Sequence, residues 1–450
     1  MQNVANAHEY VVHVDESMQR MEVEARFDER VTLVGARSDD AARYLISARD
    51  CESGERLRAR GRQLNVPAGG IRCLRYSVDL EHAAREERRN STLSSSNFIV
   101  STAAWFWRPR LDEESSIRVR FDLASSVDVS MPWRPIDGDS DIYELTMSPQ
   151  SSTAPAVFGD FEYHEAEIPG ATLRITVLNG ERPLDSDALV EWVAEAASHI
   201  TLVYGTFPNP SPTVVVIPVG SRSWSDSPVP FGRVIRDGGE TIELFINENR
   251  PIEDYYGHWT ATHEFSHLMT PYITSRHRWV SEGFAQYYQN LLLARAGHYS
   301  EQRAWQELYE GFQRGRGSAI GRTPNEVANG SWRGGTMKIY WTGAVVALLG
   351  DVELRERSNG EQSLDTVMQQ LMECCLPSDR MWSGPEFYEQ LDEIAGMPVF
   401  MPLYQQYADS TDFPDAMATL ARLGVEIENE RVSFNDDAEL AAMRTRMTQR

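Results

Sequence analysis

Two short segments constrain this 450-residue chain more than anything else in it. His263-Glu264-Phe265-Ser266-His267 reads H-E-x-x-H, and Trp279-Val280-Ser281-Glu282-Gly283-Phe284-Ala285 follows closely. Thr260 to Met269 has helical spacing: Phe265, Leu268 and Met269 share an apolar face, and Pro271 stops the run. Ser281 then reads as the N-cap of a second helix that carries Glu282 in its first turn. Phe284, Tyr287, Tyr288, Leu291, Leu292 and Leu293 continue that helix at the right period. The chain must therefore turn tightly between two helices here.

On the first helix, His263 and His267 lie four residues apart and leave from one face. Two imidazoles so placed hold one zinc ion, with Glu264 beside it. Glu282 supplies a third ligand, and the fourth position of a tetrahedral site stays open to water. One zinc per chain is expected. Such a site suits hydrolysis: Glu264 takes a proton from the attacking water and hands it to the leaving amine. The plainer reading is a half-buried helix with two histidines, followed by a glutamate favoured near a helix N-terminus by the macrodipole. The pairing of the two segments argues against it. His258 and His277 flank the motif but lack a partner four residues away. Ser275-Arg276-His277-Arg278 reads as a solvated turn, and Tyr255 and Tyr256 read as packing residues.

These residues resemble the gluzincins, thermolysin-like zinc metallopeptidases whose third ligand is a glutamate. Within that group they are most similar to the glycyl aminopeptidase family. The resemblance is carried by Glu282-Gly283-Phe284-Ala285-Gln286-Tyr287-Tyr288 and by Leu291-Leu292-Leu293-Ala294-Arg295-Ala296-Gly297. It extends through Tyr340-Trp341-Thr342-Gly343-Ala344, Leu348-Leu349-Gly350-Asp351-Val352-Glu353-Leu354-Arg355 and Ser363-Leu364-Asp365. It covers residues 195–425 well and the N-terminal half more weakly. Two departures stand out. Only the fourteen residues 268–281 separate His267 from Glu282, fewer than the family pattern implies. Thr342 also stands where the related Tyr-x-Lys-Gly motif has lysine.

The resemblance implies a peptide substrate and aminopeptidase action on short peptides. It gives Tyr340 the role of a phenol donor to the oxyanion of the tetrahedral intermediate. It also implies a glutamate that holds the substrate's free amine. Phe231 to Asn247 reads as two strands around Asp237-Gly238-Gly239, and Glu240 is the expected anchor there. The Gly-Gly-x-Glu-like stretch of the family is one residue shorter here. Two alternatives stay open: an endopeptidase on extended chains, and a catalytically silent protein that binds peptides or partners. Members of the resembled family often carry a C-terminal PDZ domain, for which too few residues remain.

The expected fold class is a multidomain α+β chain. Residues 8–190 read mainly as strands, among them Val11–Val14, Met21–Ala25, Ile117–Leu123 and Ala171–Leu178. Many short strands between turn clusters suggest an N-terminal β-sandwich over residues 1–182. Trp105-Phe106-Trp107 reads as core or interdomain packing. Residues 183–450 would form a thermolysin-like, mostly helical catalytic domain. In it, Asp185–Ala197 is a helix, Val214–Val219 a buried strand, and the glycine- and arginine-rich Gly311–Gly335 a loop. A hairpin at Val425–Phe434 and a helix at Ala438–Arg450 close the chain.

A formal charge of −24 repels nucleic acid and anionic membranes, which argues against both as partners. Lys338 is the single lysine. No apolar run is long enough to insert in a membrane. Met1 to His8 lacks a basic and an apolar signal region. The chain is thus expected to be cytoplasmic, or periplasmic or secreted with a signal peptide already removed; its oligomeric state is not legible. Cys51 and Cys73 could pair in an exported protein, whereas adjacent Cys374 and Cys375 are not expected to bridge.

Overall fold

The computed structural model describes residues 6–88, 97–110, 115–136, 139–146, 153–220, 225–236, 238–330, 334–378 and 380–449. The chain forms two compact units. The first comprises Met1–Glu165, Leu173–Ser186 and Ser211–Arg250; the second comprises Ala166–Thr172, Asp187–Pro210 and Pro251–Arg450.

Strands build the first unit because its sequence alternates. In Arg20–Val31, Met21, Val23, Ala25 and Phe27 are buried while Arg20, Glu22 and Arg26 face water. This strand lies in a seven-stranded sheet with Asn6–Val14, Leu45–Asp50, Ile71–Asp79, Ser115–Leu123, Arg134–Ile136 and Asp139–Thr146. Asn6–Val14 pairs antiparallel with Arg20–Val31 and parallel with Ser115–Leu123. Trp105, Phe106 and Trp107 are buried in the core against this sheet, and the Tyr10 hydroxyl donates to the Trp107 carbonyl at 3.1 Å. Cys51 and Cys73 are bonded to each other.

A five-stranded mixed sheet follows, in the order Phe161–Ile168, Ala171–Leu178, Thr213–Pro218, Thr241–Ile246, Phe231–Ile235. Thr213–Pro218 is buried throughout and parallel to both neighbours, which is why it reads as an unbroken apolar run. Phe231–Ile235 is the antiparallel edge strand. Gly238 and Gly239 in the turn beyond it take φ of 96° and 135°, a region that favours glycine. Asp237 of the expected Asp-Gly-Gly turn lies outside the described residues.

The second unit is mainly helical. Its helices include α1 (Ser186–Ser198), α2 (Trp259–Ser266), α3 (Arg278–Arg295), α4 (Glu301–Arg316), α5 (Pro324–Asn329), α6 (Thr336–Arg357), α7 (Leu364–Cys375) and α8 (Gly384–Ala395). Both α3 and α6 are buried on nearly every side, as expected of central helices. They cross where Gly283 meets Gly343: a Cβ on Gly283 would lie 2.2 Å from the Gly343 Cα. Backbone approach this close requires glycine on both helices.

Three local expectations are corrected. Gly311–Gly335 is not one loop: α4 runs to Arg316, and α5 starts at Pro324 behind a Thr323–Glu326 capping box. Gly311 and Gly315 sit inside α4 because the Trp341 side chain fills the space their Cβ atoms would need. Ser281 is no N-cap, because α3 begins three residues earlier, straight out of the 3-10 turn Ser275–His277. Cys374 and Cys375 are bonded to each other at the end of α7, where the backbone leaves helical geometry at Leu376. The closing hairpin has strands Val425–Glu428 and Arg431–Phe434, and the last helix is Ala441–Thr448. Among the described residues no helix is long and apolar enough to cross a membrane.

Much of the motif pattern downstream of Glu282 is scaffold. The Tyr287 hydroxyl donates to Asp351 at 2.8 Å, and Arg355 donates to the same carboxylate at 2.9 Å. The Leu364 amide donates to Asp351 at 2.8 Å, fixing the start of α7. Tyr288 donates to Asp365 at 3.1 Å, and Arg295 pairs with Asp365 at 2.8 Å. Buried polar groups persist only when satisfied in this way.

Candidate functional site

α2 starts after His258, whose extended backbone and Nδ1 acceptor cap the Thr260 amide at 3.5 Å. His263 lies within the helix, and His267 opens the 3-10 turn His267–Met269 that ends it. The four-residue spacing survives, with the two imidazole rings edge to face at 4.8 Å between centroids. The chain then makes a two-residue strand, Tyr272–Ile273, and the 3-10 turn Ser275–His277 before α3. That compact path lets only fourteen residues return Glu282 to His267.

Glu282 Oε2 lies 3.4 Å from Nε2 of His263 and 3.4 Å from Nε2 of His267. The three ligand atoms all fall within 4.8 Å of one another. A tetrahedral ion with bonds of ~2.0–2.1 Å needs ligand atoms about 3.3–3.4 Å apart. Glu282 Oε2 is also buried and accepts no hydrogen bond. A buried carboxylate oxygen aimed between two imidazoles without a donor is costly unless a cation neutralises it. Two nitrogens and one oxygen suit a borderline divalent ion such as zinc. The residues present fit the group.

The surroundings orient these ligands. His263 Nδ1 lies 2.9 Å from Gln289 Oε1, so it donates there and leaves the Nε2 lone pair facing Glu282. Ser281 Oγ lies 3.3 Å from His267 Nδ1 and does the same for the second imidazole. Gln289 went unread in the sequence. Its signal is the seven-residue step from Glu282, two turns along the same face of α3.

Glu264 is 7% exposed. Burial pushes its carboxyl up to about 7, with nearby His263 opposing and Glu282 adding. Burial alone would raise Glu282 too, but the two imidazoles outweigh it and hold that carboxyl down to about 2. Tyr340, on α6, has its ring 5.8 Å from that of His263. Burial raises its pKa, as do the Glu282 and Glu264 carboxylates, so the phenol keeps its proton and remains a donor at neutral pH. Gly283 and Gly343 place these groups: Glu282 precedes one glycine, and Tyr340 lies one turn before the other. Thr342 is fully buried and packs inside the unit.

The remaining candidates sit elsewhere. His277 is half-buried, 3.2 Å from the Thr274 hydroxyl, and belongs to no metal-capable group among the described residues. Tyr255 is buried, and its carbonyl accepts from Trp192 at 3.2 Å, a packing role. In the first unit, Glu240 accepts from Arg236 Nε and Nη2 at 3.1 and 2.9 Å. The pair is largely shielded from water.

Residues 269–347 match the family model of the M61 glycyl aminopeptidases. That span contains Glu282 and Tyr340 and begins just after His267. No curated relative matches the chain in sequence. Among solved structures, the chain is similar to an aminopeptidase N family protein from Idiomarina loihiensis. The TM-score is 0.69 at 14% identity, covering 94% of this chain and 79% of that one. It is also similar to an M1 zinc metallopeptidase from Deinococcus radiodurans, with TM-score 0.53 at 12% identity, covering 91% and 94%. A variant of the Deinococcus enzyme, equally similar, was solved with a Tyr-Ser-Ala substrate bound. Residues 269–347, which span Glu282 and Tyr340, are thus similar to the M61 glycyl aminopeptidases, and the chain shares its fold with an aminopeptidase N family protein and an M1 zinc metallopeptidase.

Proposed function

We propose that the protein is a zinc-dependent aminopeptidase acting on short peptides. The observation that carries this reading is the convergence of His263, His267 and Glu282, with each imidazole Nε2 3.4 Å from Glu282 Oε2 and with Glu264 and Tyr340 beside them. Zinc held there would polarise the scissile carbonyl and make a water acidic enough to attack near neutral pH. Glu264 takes that water's proton and delivers it to the leaving amine. Tyr340 donates its hydroxyl proton in a hydrogen bond to the oxygen on which charge develops. Gln289 and Ser281 hold the imidazoles in the ligating tautomer. The first unit, on this reading, is a β-sandwich that accompanies the catalytic part.

The preference for a free α-amine rests on the family match and on the short peptide bound by the Deinococcus variant. Glu240 is the proposed amine anchor. Its carboxylate is already engaged by Arg236, so an ammonium must compete with that guanidinium. This pairing favours the second reading, an endopeptidase that ignores the amine. Cleavage of matched free and N-acetylated peptides, with and without chelator, separates the two. For the aminopeptidase, chelator abolishes cleavage and acetylation lowers kcat/KM by about 10–150-fold, the worth of one charge-assisted hydrogen bond. Equal cleavage of both peptides installs the endopeptidase. Cleavage indifferent to chelator removes the zinc reading itself.

Tyr340→Phe is expected to lower kcat by about 10²–10³-fold with little change in KM. The hydroxyl contributes mainly once charge sits on the substrate oxygen, so its loss is felt in the transition state. A raised KM at constant kcat would assign Tyr340 to substrate binding instead.

A further inference from the structure

The second unit contains another convergent histidine–carboxylate group, apart from the proposed catalytic ligands. Glu195 lies in the last turn of α1 and His199, four residues on, just past the helix end; His298 follows the end of α3. His199 Nε2 lies 3.0 Å from Glu195 Oε1, and His298 Nε2 touches the same oxygen. All three ligand atoms fall within 4.8 Å. The two rings are 5.4 Å apart. This is the donor set of the first group: two imidazole Nε2 atoms aimed at one carboxylate oxygen.

We propose that Glu195, His199 and His298 form a second divalent-metal site for a zinc-class ion, tying α1 and the turn after α3 to the motif helix. The link to that helix is Thr262, whose Oγ1 lies 2.9 Å from His199 Nδ1. An imidazole that donates there through Nδ1 presents its Nε2 lone pair to the ion, the arrangement Gln289 gives His263. His199 is buried, while Glu195 and His298 keep 34% and 22% of their side chains exposed. That opening admits an ion and leaves room for water in its remaining coordination position. Glu195 has three side-chain torsions through which to open the cluster to ligating distance.

Ligating imidazoles must be neutral and the carboxylate ionised, so ion and proton compete for the same lone pairs. Metal uptake should release protons, and affinity should fall as pH drops through the histidine range.

The test is a count of metal equivalents. Metal-free full-length protein is titrated with zinc, then with cobalt(II), whose visible absorption reports coordination without any assay of hydrolysis. Wild type should bind two equivalents. His298→Ala and Glu195→Gln should each bind one, and so should His267→Ala. The His267→Ala/His298→Ala double variant should bind none. A single equivalent in wild type, lost in His267→Ala and kept in His298→Ala, overturns the second site and leaves the first intact. A single equivalent with the opposite dependence overturns the first. Two wild-type equivalents that both persist in His298→Ala and Glu195→Gln place the extra ion elsewhere and also overturn the proposal. Should the variants fail to fold, the wild-type count still decides, because one equivalent is incompatible with the site.

Discussion

Glu264→Gln should leave the protein folded and metal-loaded yet lower kcat by about 10²-fold or more. The amide is nearly isosteric with the carboxylate, so packing around this almost fully buried position hardly changes. Burial already disfavours the charged form of Glu264, so a neutral amide adds no desolvation cost. The proposed ligand atoms belong to His263, His267 and Glu282, and none is altered. What the variant lacks is a lone pair basic enough to take a proton. Elemental analysis and the melting temperature should match wild type while peptide turnover collapses. A variant with more than about a tenth of wild-type kcat would remove Glu264 as the base, since general-base catalysis contributes ~10²–10⁴-fold. Loss of the metal in this variant would mean that Glu264 helps to hold it.

The grouping of His263, His267 and Glu282 was legible because its signal is local. A four-residue step between histidines on a helix is a spacing rule, and it survives even though His267 lies just past the α-helical end of α2. Glu282 was legible only through its company, Gly283 and the run that follows. The structure explains that company physically. Gly283 admits α6, while Tyr287 and Tyr288 anchor Asp351 and Asp365 on elements more than sixty residues downstream. The residues that carried the family resemblance are thus largely those that lock α3 against its neighbours.

What stayed hidden depends on partners distant in sequence. Gly311 and Gly315 argue against a helix by propensity, at roughly 1 kcal/mol each, and only Trp341 explains them. Gln289 looks like any polar residue on a helix until His263 is placed beside it. The pairing of Glu195 with His199 is readable as a four-residue step, but His298 lies 103 residues from Glu195. Thr213–Pro218 and Thr241–Ile246 group with the first unit, although the helical segment Asp187–Pro210 of the second separates them in sequence from Leu173–Ser186. Sheet partners chosen at that separation leave no periodic trace.

Gly343→Ala should be among the most destabilising single-methyl changes in the chain. The added Cβ would lie 2.1 Å from the Trp279 carbonyl oxygen and 2.7 Å from the Gly283 Cα. Non-bonded carbons prefer about 3.5–4.0 Å, and these neighbours are backbone atoms of a buried helix that cannot swing aside. The two helices must part by more than an ångström, or the helix must bend. Overpacking typically costs ~1–3 kcal/mol, and contact with backbone puts this case at or above the upper end. For a unit of this size that corresponds to a fall in Tm of roughly 6–12 °C. Gly283→Ala should behave alike, its Cβ meeting the Gly343 Cα at 2.2 Å. The double variant should cost less than the sum, because helices already parted by one methyl accommodate the second more easily. Gly69→Ala is the control: nothing lies within 4 Å of its Cβ position, so its effect should stay within about 0.5 kcal/mol. Activity should fall along with stability, since Glu282 and Tyr340 are placed by this crossing and would be drawn apart. A Gly343→Ala protein that melts within about 1 °C of wild type would show that the crossing is not close-packed. The shared placement of Glu282 and Tyr340 would then need another cause.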